Sequence, residues 1–168
     1  DDAAGNMTRL DSAARYAQEL LEYMDRTSVS VVLTKGEGVV AIPLTEDFTS
    51  IQTLLTMLSP KLMTTIGTNL GNGIETAIKS FPEQSSMASR IWVFTDGDEP
   101  SSNYIQALEH TVKCGIPLTF IGFGSERETE IVTGDGITKV KTALRSVQLE
   151  NTVSVINKNS ISKGRHEP

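Results

Sequence analysis

Apolar residues recur at Leu10, Ala13, Ala14, Ala17, Leu20, Leu21 and Met24, the spacing of one helical face. The pattern predicts an amphipathic helix near residues 8 to 24. The period then changes. Val29, Val31, Val32 and Leu33 form a short β-branched run, and Val39 to Leu44 form a second after the turn Lys35-Gly-Glu-Gly38. Two such runs around a short turn predict an antiparallel hairpin. Helical spacing returns at Phe48, Ile51, Leu54, Leu55 and Leu58, and Pro60 stops it. After a polar loop, Lys61 to Gly67, it resumes at Leu70, Ile74, Ala77, Ile78 and Phe81, ending at Pro82.

Ile91 to Phe94 predicts a strand buried on both faces. Ile105, Leu108 and Val112 predict a helix closed by Gly115, a good residue just past a helix end. Leu118 to Phe123 predicts another buried strand. A hairpin around Gly134-Asp-Gly136 and a last helix through Leu144, Val147 and Val153 complete the pattern. Strands alternating with helices predict a single α/β domain over residues 1–168, a Rossmann-like, doubly wound, mostly parallel sheet flanked by helices. The first element is a helix with no strand before it. In a right-handed parallel sheet such a helix returns from a strand already laid down. The expectation is therefore that a central strand belongs upstream of Asp1, and that the polar end after Lys158 stops short of a closing strand. Sheet edges exposed beside such a gap would favour self-association.

Composition narrows the partners. The net charge of −6 argues against nucleic acid, which calls for a basic face, and there is no polybasic patch for an anionic membrane. No apolar run approaches the roughly 20 residues of a membrane span. The single cysteine, Cys114, has no internal disulfide partner and is expected to be a small core residue.

The candidate chemistry lies in RIWVFTDGDEP, residues 90–100, where an apolar run ends in oxygen donors without a spacer. Ligands of open α/β sheets sit beyond the carboxyl ends of the strands. Asp96 is the first carboxylate there, and Gly97 allows a sharp turn. A hard cation such as Mg²⁺ suits that position; an Asp-Gly turn with solvated charges is the competing reading. Thr68, in Gly67-Thr-Asn-Leu-Gly71, is placed either to cap the following helix or to face a ligand. The glycines there do not match a phosphate loop, because no Lys-Ser/Thr directly follows them. His110 and His166 lack metal-ligand spacing and are expected at the surface.

Taken together, IPLTEDF, GTNLGNGIETAI, RIWVFTDGDE and GIPLTFIGFGS, in this order, resemble a von Willebrand factor A (vWA) domain, and within that family the bacterial aerotolerance (Bat) type. The resemblance implies a metal-ion-dependent adhesion site. There Mg²⁺ is held by an Asp-x-Ser-x-Ser loop, a threonine and an aspartate, and a protein partner's carboxylate completes the shell. The threonine corresponds to Thr68 and the aspartate to Asp96. No Asp-x-Ser-x-Ser occurs in these residues. In the family that loop follows the first central strand, the same strand the element order lacks. Two donors hold Mg²⁺ poorly, so metal binding by this chain alone is expected to be weak or absent. The resemblance further implies a binding module, not an enzyme, in a membrane-anchored parent on the extracytoplasmic side of the bacterial inner membrane. Two alternatives stay open: a degenerate vWA scaffold that binds partners without metal, and a Mg²⁺-dependent phosphoryl-transfer or hydrolytic enzyme using Asp96 and Asp98.

Overall fold

A computed structural model describes residues 7–62, 69–82, 88–96, 104–123, 129–132 and 139–142. Helix α1 spans Arg9–Glu22. Its start is set by a capping box. The Asp11 amide donates to Thr8 Oγ1 at 3.0 Å, and the Thr8 amide returns a bond to Asp11 Oδ2 at 2.9 Å. The hairpin follows as β1, Val29–Lys35, and β2, Glu37–Thr45. Its turn is tighter than the sequence suggested: Lys35 pairs with Glu37, and Gly36 between them takes φ 71°. The register slips twice around Val31, with the extra residues on β2. Pro43 lies there, where a missing N–H costs the ladder least.

Helix α2 spans Phe48–Thr56 and is capped by Asp47, whose side chain accepts from the Ser50 amide and hydroxyl. Part of the expected polar loop is a short 3-10 turn, Pro60–Leu62. Helix α3 runs Leu70–Lys79, and strand β3 runs Ile91–Thr95. Helix α4 runs Tyr104–Lys113, and strand β4 runs Leu118–Gly122. The expected late hairpin is present as β5, Thr129–Val132, against β6, Lys139–Thr142. The expected last helix and the turn at 134–136 lie outside the described residues.

Both early caps hold a carboxylate below its ordinary range. The Thr8 hydroxyl is the main cause for Asp11, and the Ser50 hydroxyl for Asp47. A lowered folded pKa contributes stability above the unfolded value and loses it as pH falls through the folded value. The thermal midpoint should therefore fall as pH drops below the usual value of 3.8. In the double variant Asp11→Asn/Asp47→Asn that acid slope should flatten, as read by circular dichroism melts across acid pH.

Strands β3 and β4 pair in parallel from Ile91↔Leu118 to Thr95↔Gly122. Among the described residues no ladder joins this pair to the hairpin, so the sheet lies in separate two-stranded pieces. The hairpin and the β3–β4 pair each have their own cluster. Leu21, Ile51 and Leu55 pack with Val29, Val31 and Ile42 under the hairpin. Leu70, Ile74, Ile91, Val93, Ala107 and Leu108 pack around β3. Helix α3 joins the two pieces. Its Thr76 Oγ1 donates to the Gly38 carbonyl at 3.3 Å, while Ile74 sits in the β3 cluster.

Four expectations about burial need correcting. Strand β3 is not buried on both faces: Ile91 and Val93 are buried, whereas Trp92 and Phe94 are half-buried. Strand β4, expected to be buried, is half-buried with Gly122 exposed. Of the residues that predicted helix α4, Leu108 is buried with Tyr104, Ala107 and Thr111, while Ile105 and Val112 are exposed. Cys114 is exposed rather than part of the core, since the helix ends one residue before it and Gly115 turns the chain at φ 65°.

Candidate functional site

Asp96 sits where the sequence placed it. The parallel ladder fixes the backbone to its very end, because the Phe123 amide still donates to the Thr95 carbonyl at 2.9 Å. Asp96 is the next residue, so its carboxylate stands at the carboxyl edge of β3 on a rigid mount. Its side chain is 40% exposed, open enough for a ligand.

The sequence reading missed its neighbour. Arg9 Nη1 lies 3.2 Å from Asp96 Oδ2, across 87 residues of chain, and only 13% of the arginine side chain is exposed. Two features bring it there. The capping box fixes Arg9 as the first residue of α1. Tyr16, seven residues on and on the same stripe, packs its ring edge-on to Phe94 and Phe123, with centroids 6.3 and 6.0 Å away. Phe94 and Phe123 also stack on each other at 6.0 Å. Helix α1 is thus laid over the rim end of β3 and β4, on the face away from Ile91 and Val93. One signal for Arg9 was present in the sequence. A cation in a first helical turn opposes the helix dipole, so an anionic partner from elsewhere was to be expected.

Thr68 lies outside the described residues, as do Gly97, Asp98 and Glu99. The proposed capping role does not fall to Thr68. Asn69 is the cap of α3, accepting from the Asn72 amide at 3.0 Å. His166 also lies outside the described residues, and His110 is a partly exposed partner of Glu75 at 2.9 Å. Lys79 ends α3 at the pole away from Asn69, where a lysine complements the helix dipole. Among the described residues no group of three or more His, Cys, Asp or Glu could hold a metal ion. The described donor at the rim is a single hard carboxylate. It suits Mg²⁺ in kind, and the structure already gives it a cation, the Arg9 guanidinium.

A family profile described as von Willebrand factor type A domain matches residues 2–99, more than half of the 168. The chain belongs to the von Willebrand factor type A family. Solved vWA-like structures agree over nearly the whole length. An aerotolerance-related membrane protein from Bacteroides fragilis superposes with a TM-score of 0.81 at 24% identity, over 90% of this chain and 79% of that one. BatB, a conserved hypothetical protein from Bacteroides thetaiotaomicron, gives 0.79 at 25% identity, over 91% and 77%. No functionally curated protein matches the chain. The vWA fold is in general a protein-interaction module, and among the described residues no helix of this one is long and apolar enough to cross a membrane.

Proposed function

We propose that this vWA domain binds a protein partner at the carboxyl rim of β3, with Mg²⁺ bridging Asp96 and Thr68 to a carboxylate on the partner. The observation that carries the reading is the mount of Asp96: one residue past the last ladder bond, half exposed, at the edge where α/β sheets take ligands. The cation contributes charge and coordination geometry, and no covalent bond changes. With two donors from this chain the affinity is weak, and a further oxygen-rich loop tightens it. The likeness to an aerotolerance-related membrane protein supports a place in the bacterial envelope; the extracytoplasmic side of the inner membrane is part of the proposal.

Calorimetric titration with Mn²⁺ and Mg²⁺ tests this. The parent chain should show weak binding that disappears in both Asp96→Asn and Thr68→Ala while the far-ultraviolet spectrum is unchanged. Placing an Asp-x-Ser-x-Ser strand and loop ahead of residue 1 should tighten it. Binding that ignores Asp96→Asn would remove the metal from the proposal.

The Arg9–Asp96 contact favours a second reading, partner docking at the same rim without metal, because a guanidinium already balances the carboxylate. Partner binding that persists in excess EDTA would select it.

A further inference from the structure

We infer that Arg9 is a built-in competitor of the divalent cation at Asp96: its guanidinium claims Oδ2, and a metal ion reaching that oxygen must displace it. The inference rests on the metal reading above and concerns how that site is regulated.

Geometry carries it. Nη1 lies 3.2 Å from Oδ2, so donor and acceptor are in hydrogen-bond contact. At 13% against 40% exposure, the arginine is the more enclosed member, held against the rim rather than extended into solvent. The capping box and the Tyr16 seat on Phe94 and Phe123 fix the helix that carries it. Helix preference does not account for an arginine at this position, because its charge opposes the dipole; the carboxylate does.

Such a charge acts on an incoming Mg²⁺ in two ways. It occupies a lone-pair direction on Oδ2, and it repels the ion across a few ångströms of partly desolvated space. Mg²⁺ gives up its waters reluctantly, so a ligand already engaged is a poor exchange for one. The competition is relieved by moving the side chain or α1. A partner that draws the guanidinium to its own carboxylate would free Asp96 for metal in the same step, coupling partner binding to metal binding.

The experiment is a Mn²⁺ titration, by calorimetry and by proton relaxation of the bound ion, on the full chain and on Arg9→Met, Arg9→Lys and Arg9→Met/Asp96→Asn. Methionine keeps the apolar stem and removes the charge. Arg9→Met should bind Mn²⁺ at least about tenfold more tightly than the parent. Arg9→Lys, still charged, should stay near the parent, and the double variant should lose the gain. Equal or weaker binding by folded Arg9→Met, with binding still dependent on Asp96, overturns the competition and leaves the metal site standing. Absence of Asp96-dependent Mn²⁺ binding in every variant overturns the metal reading and the competition together. A second measurement uses the parent alone, should Arg9→Met fail to fold. The Arg9 side-chain ¹⁵N–¹H resonance should shift on adding Mg²⁺ and not on adding NaCl of equal ionic strength. An unmoved resonance at saturating Mg²⁺ would refute displacement.

Discussion

Ile74→Ala should lower the unfolding free energy by about 3–4 kcal/mol, measured by urea denaturation with an unchanged slope. Ile74 is 2% exposed, on α3, within the cluster formed by Leu70, Ile91, Val93, Ala107 and Leu108. Removing its outer carbons forfeits their transfer free energy and leaves a cavity. The walls belong to three different elements, which limits collapse into it. Against a typical total of about 5–15 kcal/mol, the loss is a large share. Leu108→Ala, at 3% exposed, should cost a similar amount, whereas Ile105→Ala, at 51% exposed, should stay within about 0.5 kcal/mol. The pair tests which face of α4 is packed. Equal costs for Leu108→Ala and Ile105→Ala would contradict the packing described for α4.

The crossing of α3 over the hairpin gives the second large effect. A Cβ on Gly38 would stand 2.6 Å from Thr76 Oγ1, 2.7 Å from the Asn72 carbonyl oxygen and 2.9 Å from Gly73 Cα. Two of those atoms are backbone and cannot rotate away. Gly38→Ala should therefore cost about 2–3 kcal/mol, and Gly38→Ala/Thr76→Ala should remain destabilised. Gly73 behaves differently. A Cβ there would collide with the Thr34 hydroxyl, and its nearest neighbours are all Thr34 side-chain atoms. Inside a helix alanine also gains about 0.5–1 kcal/mol over glycine. Gly73→Ala should destabilise the parent, and in a Thr34→Ala background most of the loss should be recovered. Thermal melts of the four combinations give the coupling energy. Strict additivity would mean that the helix and hairpin are not in this close contact.

The glycines of GTNLGNGIETAI show how much was legible. Their spacing argued against a phosphate loop. Their positive role, letting a helix backbone rest on a strand backbone, needs two segments 35 residues apart and cannot be seen in either alone. The elements themselves were readable because burial imposes a period: α1, the hairpin, α2, α3 and the β3–β4 pair stand close to their expected places. The buried face of α4 was legible only through Leu108, for a chemical reason. Isoleucine and valine outweigh tyrosine, alanine and threonine in any apolar count. Yet Tyr104 packs its ring edge-on to Phe120 at 6.2 Å, and Thr111 satisfies its hydroxyl within the helix on the Leu108 carbonyl at 2.7 Å. At the site, Asp96 was legible because a strand's end follows from its apolar run. Arg9 was not, because an ion pair spanning 87 residues leaves only a mild local oddity, a cation at the wrong pole of a helix. The cap of α3 went to Asn69 rather than Thr68, a one-residue difference between two good capping types that periodicity does not resolve.

Helix α1 has its two ends in different neighbourhoods. Leu21 is locked among Ile51 and Leu55, and Arg9 touches the rim. Fourteen helical residues make a stiff rod of about 21 Å. Tyr16 seats the same rod near its middle on Phe94 and Phe123. A tilt at the hydrophobic pivot therefore repositions a unit of positive charge at the opposite pole only by carrying that aromatic seat with it.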